Sequence, residues 1–260
     1  MKCVIGGCIL NCSRHVYSVF NNMVKISSLF TDYKIIFYYD NSTDATLPKL
    51  NEIKRLNNNV SIIVNTDPIY SDRTLNIAKG RNSILNTIKD NYSDYEFFIM
   101  MDCDNVCRND INLDILKNYL LDTRWDSLSF NRKKYYDLWA LSIEPYVHSY
   151  WQMNENARHK MEMYIHEKLK SLSPNDLLEC ISAFNGFAIY RTNKFLNCTY
   201  DGRLRLDLIP KDILSKSIEH NGFIDSNNVD CEHRSFHLQG KFINGAKIMI
   251  SPLRLFYYDS

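Results

Sequence analysis

Short apolar runs alternate along the first hundred residues with stretches whose apolar positions recur at helical spacing. Residues 2–10, 33–39, 60–64 and 96–101 are nearly continuous in apolar side chains, as strands covered on both faces are. Between them, Val16, Phe20, Val24 and Leu29 mark one helical face, with Asn11 or Ser13 ahead of it as a cap. Leu47, Leu50 and Ile53 mark a second face, and residues 74–90 a long third helix. Strand–helix alternation of this kind predicts an α/β fold with a doubly wound, mostly parallel sheet.

The second half is less regular. Residues 125–130 read as a strand. Residues 154–172 read as a mostly polar, exposed helix with Met161, Ile165 and Leu169 on one stripe. Residues 184–191 form a turn at Asn185-Gly186 that leads into a strand. Residues 211–218 suggest a short helix and residues 246–251 a last strand.

The chain has 260 residues, enough for one large domain, and 45% of them are apolar. A net charge of +1 gives no general pull toward nucleic acid or anionic lipid. No apolar run approaches the roughly 20 residues that span a bilayer, so no transmembrane segment is expected, and the first residues do not read as a signal peptide. The eight cysteines form no C-x-x-C pair, which argues against a zinc site and for free thiols in a reducing compartment. Asn41, Asn91 and Asn197 lie in N-x-S/T sequons, and a glycan on Asn41 would obstruct the acidic turn beside it. A cytoplasmic location is therefore expected.

The candidate chemistry centres on Asp102-Cys103-Asp104, at the end of the fourth apolar run. One residue separates the acids, so on an extended chain both point the same way, at the carboxyl edge where open α/β sheets bind ligands. Adjacent anions repel unless a cation lies between them, and Mg²⁺ or Mn²⁺ bridging to diphosphate oxygens meets that need. An isolated Asp-x-Asp is more often a solvated turn, so its surroundings decide. On the 74–90 helix, Arg81 falls within the apolar face of Ile77, Ile84, Leu85 and Ile88, where a guanidinium needs a partner. Asp102, Asp104, Asp40 or a bound phosphate could supply one, or the side chain could snorkel to the rim. No G-x-G-x-x-G loop is present, because Gly6-Gly7 lies inside the first strand. Residues 229–237, Val-Asp-Cys-Glu-His-Arg-Ser-Phe-His, form a second cluster. Asp230 there reads as a helix cap, and His233 and His237 lie at i and i+4 on one face.

Arg73…Ile77-Ala-Lys-Gly-Arg81-Asn82…Phe98-Ile-Met-Met-Asp102-Cys103-Asp104 resembles the core of GT-A glycosyltransferases, and Asp40-Asn-Ser-Thr-Asp44 resembles the acidic turn of that group. The likeness covers roughly the first 110 residues. Tyr135-Tyr136-Asp137-Leu138-Trp139-Ala140 resembles capsule-type mannosyltransferases and uncharacterised glycosyltransferases of large DNA viruses. The resemblance implies a GT-A type, Rossmann-like sheet with a smaller acceptor-side lobe. It also implies one domain over 1–260, with residues 1–110 binding a nucleotide sugar and 111–260 the acceptor.

It further implies a UDP- or GDP-sugar donor, a glycan or glycoprotein acceptor, and Mn²⁺ or Mg²⁺. Asp40, Arg73, Arg81, Asp102, Cys103 and Asp104 would hold the donor, and Asp102, Asp104 and His237 the metal, with His233 the second choice. Glu232 would be the catalytic base, Asp230 its alternative, and inversion or retention stays open. A viral protein would work in the host cytoplasm or virus factory. Two other readings fit the same sheet, a sugar nucleotidyltransferase and a non-catalytic nucleotide-sugar or glycan-binding module.

Overall fold

The computed structural model describes residues 1–225 and 228–257. In chain order the first half holds β1 (Lys2–Ile9), α1 (Val16–Ser27), β2 (Asp32–Tyr39), α2 (Thr46–Leu56), β3 (Val60–Val64), α3 (Arg73–Asn91), β4 (Phe97–Met101) and α4 (Leu113–Tyr119). The second half holds β5 (Ser127–Asn131), α5 (Ala157–Lys170), β6 (Leu178–Cys180), β7 (Phe187–Arg191), α6 (Thr192–Phe195), α7 (Lys211–Asn221), α8 (Glu232–Phe242) and β8 (Ile248–Arg254).

One sheet runs through both halves in the order β3-β2-β1-β4-β7-β5-β8-β6. The β3, β2, β1 and β4 strands pair in parallel, as do β5 and β8, while β7 and β6 run against their neighbours. The two faces of β4 explain its unbroken apolar run. Phe98 and Met100 join the core that includes Ile84, Ile88 and Phe236, whereas Phe97, Ile99 and Met101 join the core that includes Val16, Met23 and Leu116. Successive side chains of a strand point to opposite faces, so a strand sandwiched between helices is apolar at every position. The chain order turns back between β1 and β4, and the carboxyl ends of those strands open a crevice at that switch point.

The four expected strands of the first half lie within a residue of their predicted bounds, and α3 and α5 are helices where the periodicity placed them. Three local expectations are corrected. The buried face of α1 is Val16, Val19, Met23 and Ile26, while Val24 is exposed. Neither Asn11 nor Ser13 caps that helix, whose N-cap is His15. Instead the Asn11 side chain accepts from the Thr43 amide (2.8 Å) and the Ser13 amide donates to Asp44 (2.9 Å). These bonds tie the loop after β1 to the acidic turn after β2. The third correction concerns Asp230, read as a helix cap: the N-cap of α8 is Cys231, with no side-chain cap bond. The short β6 and α4, three and seven residues long, left no pattern to read.

Candidate active site

Asp40 follows β2 and Asp102 follows β4, so both stand at the carboxyl edge of the sheet. The Asp102 amide donates to the Gly186 carbonyl at 2.9 Å, which pins the turn after β4 to the turn before β7. Gly186 has φ +85 and a Cβ there would lie 2.6 Å from Val106, so this close approach needs glycine. Asp104 accepts from the Val106 amide at 2.9 Å and caps the short turn Asn105–Cys107. Between the two acids Cys103 is buried, its sulfur only 2.3 Å from where a Cβ on Gly7 would stand. It forms floor beneath the acids.

Arg81 organises what surrounds these acids. It is 4% exposed on the buried face of α3. Its Nε donates to Glu232 Oε1 (2.9 Å), its Nη2 to Asp102 Oδ1 (3.2 Å), and its guanidinium lies over the Phe184 ring at 4.7 Å. Of the partners named from sequence, Asp102 is the one found. Glu232, 151 residues away, was not among them. Burial pushes the Asp102 carboxyl up to about 6, with Arg81 pulling it down and Asp104 and Glu232 pushing it further up. Asp137 is pushed up to about 7 by burial and by Asp102, against the Ala140 amide that hydrogen-bonds it.

These groups share one cleft of about 510 Å³, whose lining includes Asp40, Arg73, Arg81, Asp102, Cys103 and Asp104 from the first half. The second half contributes Tyr136, Asp137, Trp139, Phe184, Glu232 and His233. Asp40 accepts from Asn65 at 2.7 Å.

Two residues chosen from sequence lie elsewhere. The metal-ligand expectation for His237 is corrected. The side chain is fully buried, with Nδ1 bonded to Ser182 Oγ (2.8 Å) and Nε2 to the Tyr190 hydroxyl (3.0 Å), so neither nitrogen is free and it does not line the cleft. Burial lowers its pKa to about 3, and the ring is neutral. Asp230 is corrected as a catalytic alternative. It is 3% exposed, accepts from the Cys231 amide and pairs with Arg234 at 2.8 Å, outside the cleft. Arg234 in turn donates to the carbonyls of Leu141 and Val147.

His233, the second choice, does line the cleft. It stacks on Phe184 at 3.7 Å, with Nε2 3.6 Å from Glu232 Oε1 and no hydrogen-bond partner on either nitrogen. Burial and the nearby Arg81 hold it neutral. Asp137 is the site residue that sequence reasoning passed over. Its signal was the acid inside the Tyr-Asp-x-Trp pattern, read there as part of an aromatic segment.

Among the described residues no three His, Cys, Asp or Glu side chains form a ready cage for a metal. The donor set nevertheless suits a hard divalent cation shared with a ligand, because Asp102 and Asp104 are oxygen donors beside one guanidinium. Arg81 Nη1 and Trp139 Nε1 are buried donors without partners, and both residues line the cleft. A ligand rich in acceptor oxygens would satisfy them.

No protein-family model matches the chain, and no curated protein matches it. Solved structures do resemble it. S. aureus TarS 1-349 in complex with UDP is 16% identical over 98% of this chain and 59% of that one, with a TM-score of 0.51. A longer S. aureus TarS structure is 15% identical over 100% of this chain and 37% of its own, again with a TM-score of 0.51. This chain thus spans less than two thirds of either. The likeness establishes the fold, which is the GT-A type of glycosyltransferases. Among the described residues no helix is long and apolar enough to cross a membrane.

Proposed function

We propose that the chain is a metal-dependent glycosyltransferase that moves a sugar from a UDP- or GDP-linked donor to a hydroxyl of a glycan or glycoprotein acceptor. The observation that carries this reading is one cleft at the switch point of a GT-A sheet that gathers Asp40, Asp102, Asp104, Asp137 and Glu232, with Asp102 and Glu232 both paired to the buried Arg81. Five carboxylates against the guanidinium groups of Arg73 and Arg81 leave a surplus of negative charge, which a divalent cation brought with a diphosphate would offset. Asp102 and Asp104 would hold Mn²⁺ or Mg²⁺, which when bound supplies Lewis-acid neutralisation of the leaving diphosphate. Two protein carboxylates suffice, because Mg²⁺ in such sites takes its other oxygens from phosphate and water.

The chain's own residues do the rest. Arg81 fixes Asp102 and Glu232 relative to each other across the two halves. Asp40 and Arg73 stand toward the nucleotide end, with Ile69 and Tyr70 as apolar wall. His233, neutral and without a partner, is the histidine available to the metal shell or the phosphates. TarS, solved with UDP, has the same fold and so supports a nucleotide donor.

Thermal melting against a panel of UDP-, GDP- and dTDP-sugars, each with and without Mn²⁺, tests the reading. A ligand that binds the folded state alone raises the melting temperature. One donor class should raise it only when Mn²⁺ is present. No shift with any of them, or shifts indifferent to Mn²⁺, would count against it.

A further inference from the structure

We propose that Asp137 is the general base that deprotonates the acceptor hydroxyl, in place of Glu232. The assignment rests on the glycosyltransferase reading above and adds that the displacement inverts the anomeric carbon. It follows from sorting the carboxylates of the cleft by which of their lone pairs are already taken.

Glu232 is 5% exposed, and Arg81 takes its Oε1 at 2.9 Å, with His233 Nε2 at 3.6 Å from the same oxygen. Its other oxygen faces the Cys231 thiol at 3.8 Å. A base so paired would have to surrender a buried ion pair in order to take a proton. Asp102 is held by Arg81, and Asp104 by the Val106 amide. Asp40 accepts from Asn65. Asp137 shares with Asp104 and Asp40 the lack of an ion pair, but those two are assigned above to the metal and the nucleotide, which leaves Asp137 as the unpaired carboxylate for the acceptor. One oxygen accepts from the Ala140 amide at 3.1 Å, and no ion pair joins the carboxylate to any described Lys, Arg or His. No described residue hydrogen-bonds its second oxygen, and the residue lines the cleft.

The carboxylate is also firmly placed. The amides of Tyr136 and Asp137 both donate to Asn185 Oδ1, at 2.8 and 3.1 Å. Asn185 is 1% exposed, sits at φ +54, and donates through its own side chain to the Phe130 carbonyl at 2.8 Å. The next residue, Gly186, carries the carbonyl that accepts from Asp102. Asp137 and the acid pair at the end of β4 are thus clamped to the same two-residue turn, the kind of rigid support that a reacting group needs. Tyr136 and Trp139 flank Asp137 in the cleft wall and offer aromatic surface to a sugar ring. Its burial gives the carboxyl the proton affinity a base needs near neutrality.

In the step this implies, the acceptor oxygen attacks the anomeric carbon of the donor and its proton passes to the free oxygen of Asp137. The bond from the anomeric carbon to the diphosphate oxygen breaks, and its electron pair leaves with the nucleoside diphosphate. A single in-line displacement of this kind inverts configuration.

The test uses the full chain, Mn²⁺, the donor selected by the melting panel, and water or azide as nucleophile. Azide carries no proton to remove. Asp137→Asn should keep the donor-induced melting shift yet release nucleoside diphosphate into water about 10²–10⁴-fold more slowly, the range general-base removal produces. Sodium azide should restore release in the variant and yield a glycosyl azide of inverted configuration. Glu232→Gln should not be rescued by azide. Should the Asn variant fail to fold, Asp137→Ser, whose hydroxyl can still accept from Ala140, takes its place. Unchanged release by the variant, release that azide leaves slow, or an azide product of retained configuration would each overturn the assignment. If the wild-type chain neither binds nor cleaves any donor, the glycosyltransferase reading itself falls and the base goes with it.

Discussion

Two regions meeting at α8 use the same residue types to opposite ends. Beneath the helix, Asp230 is closed by Arg234, and His237 by Ser182 and Tyr190. On the cleft side, His233 has no hydrogen-bond partner, Asp104 holds a single backbone amide, and Asp137 keeps an oxygen open. Buried polar groups that are fully paired fix a fold, and groups held in place but left unpaired are the ones free to meet a ligand. The comparison teaches that residue type and spacing nominate a site, while the partners each group already holds decide which of them meet a ligand unpaired.

The sharpest way to break this contrast is to open the closed region. Asp230→Ala leaves the Arg234 guanidinium buried without its carboxylate and should cost about 3–5 kcal/mol in urea unfolding. A loss below about 1 kcal/mol, the scale of an exposed pair, would show that the network is not closed as described. His237→Phe is gentler. It strips partners from Ser182 and the Tyr190 hydroxyl and should cost about 1–3 kcal/mol at pH 7.5, with Mn²⁺ affinity unchanged. Weakened Mn²⁺ binding would restore His237 as a ligand.

That cost also depends on pH. The fold holds His237 at about 3 while an unfolded histidine titrates near 6.5, so protons favour the unfolded chain as pH falls below 6.5. The Phe variant lacks this liability. The gap between the two proteins should therefore narrow by about 2 kcal/mol between pH 7.5 and pH 5.

The parallel half was legible because strands buried on both faces leave continuous apolar runs, as Phe97–Met101 does. Arg81 was legible for a related reason: a guanidinium in an apolar face announces a partner. The identity of that partner was only half legible, since Glu232 reaches it by a fold-level contact across 151 residues. Spacing put His233 and His237 on one face and could go no further. Their rings are 5.7 Å apart, yet one borders the cleft and the other sits a turn deeper in the core. Asp137 was hidden among aromatics, and what gives it meaning is Asn185, whose side chain bridges two segments that no local pattern connects.

The most direct test of the central claim is Mn²⁺-dependent nucleotide-sugar binding and cleavage by Asp104→Asn beside the wild type. The asparagine can still accept from the Val106 amide, so the melting temperature should stay within a few degrees of the wild type. Donor cleavage, and the melting shift that Mn²⁺ confers with the donor, should both disappear. A variant that binds and cleaves the donor as the wild type does, or a wild type equally active in EDTA, would contradict it.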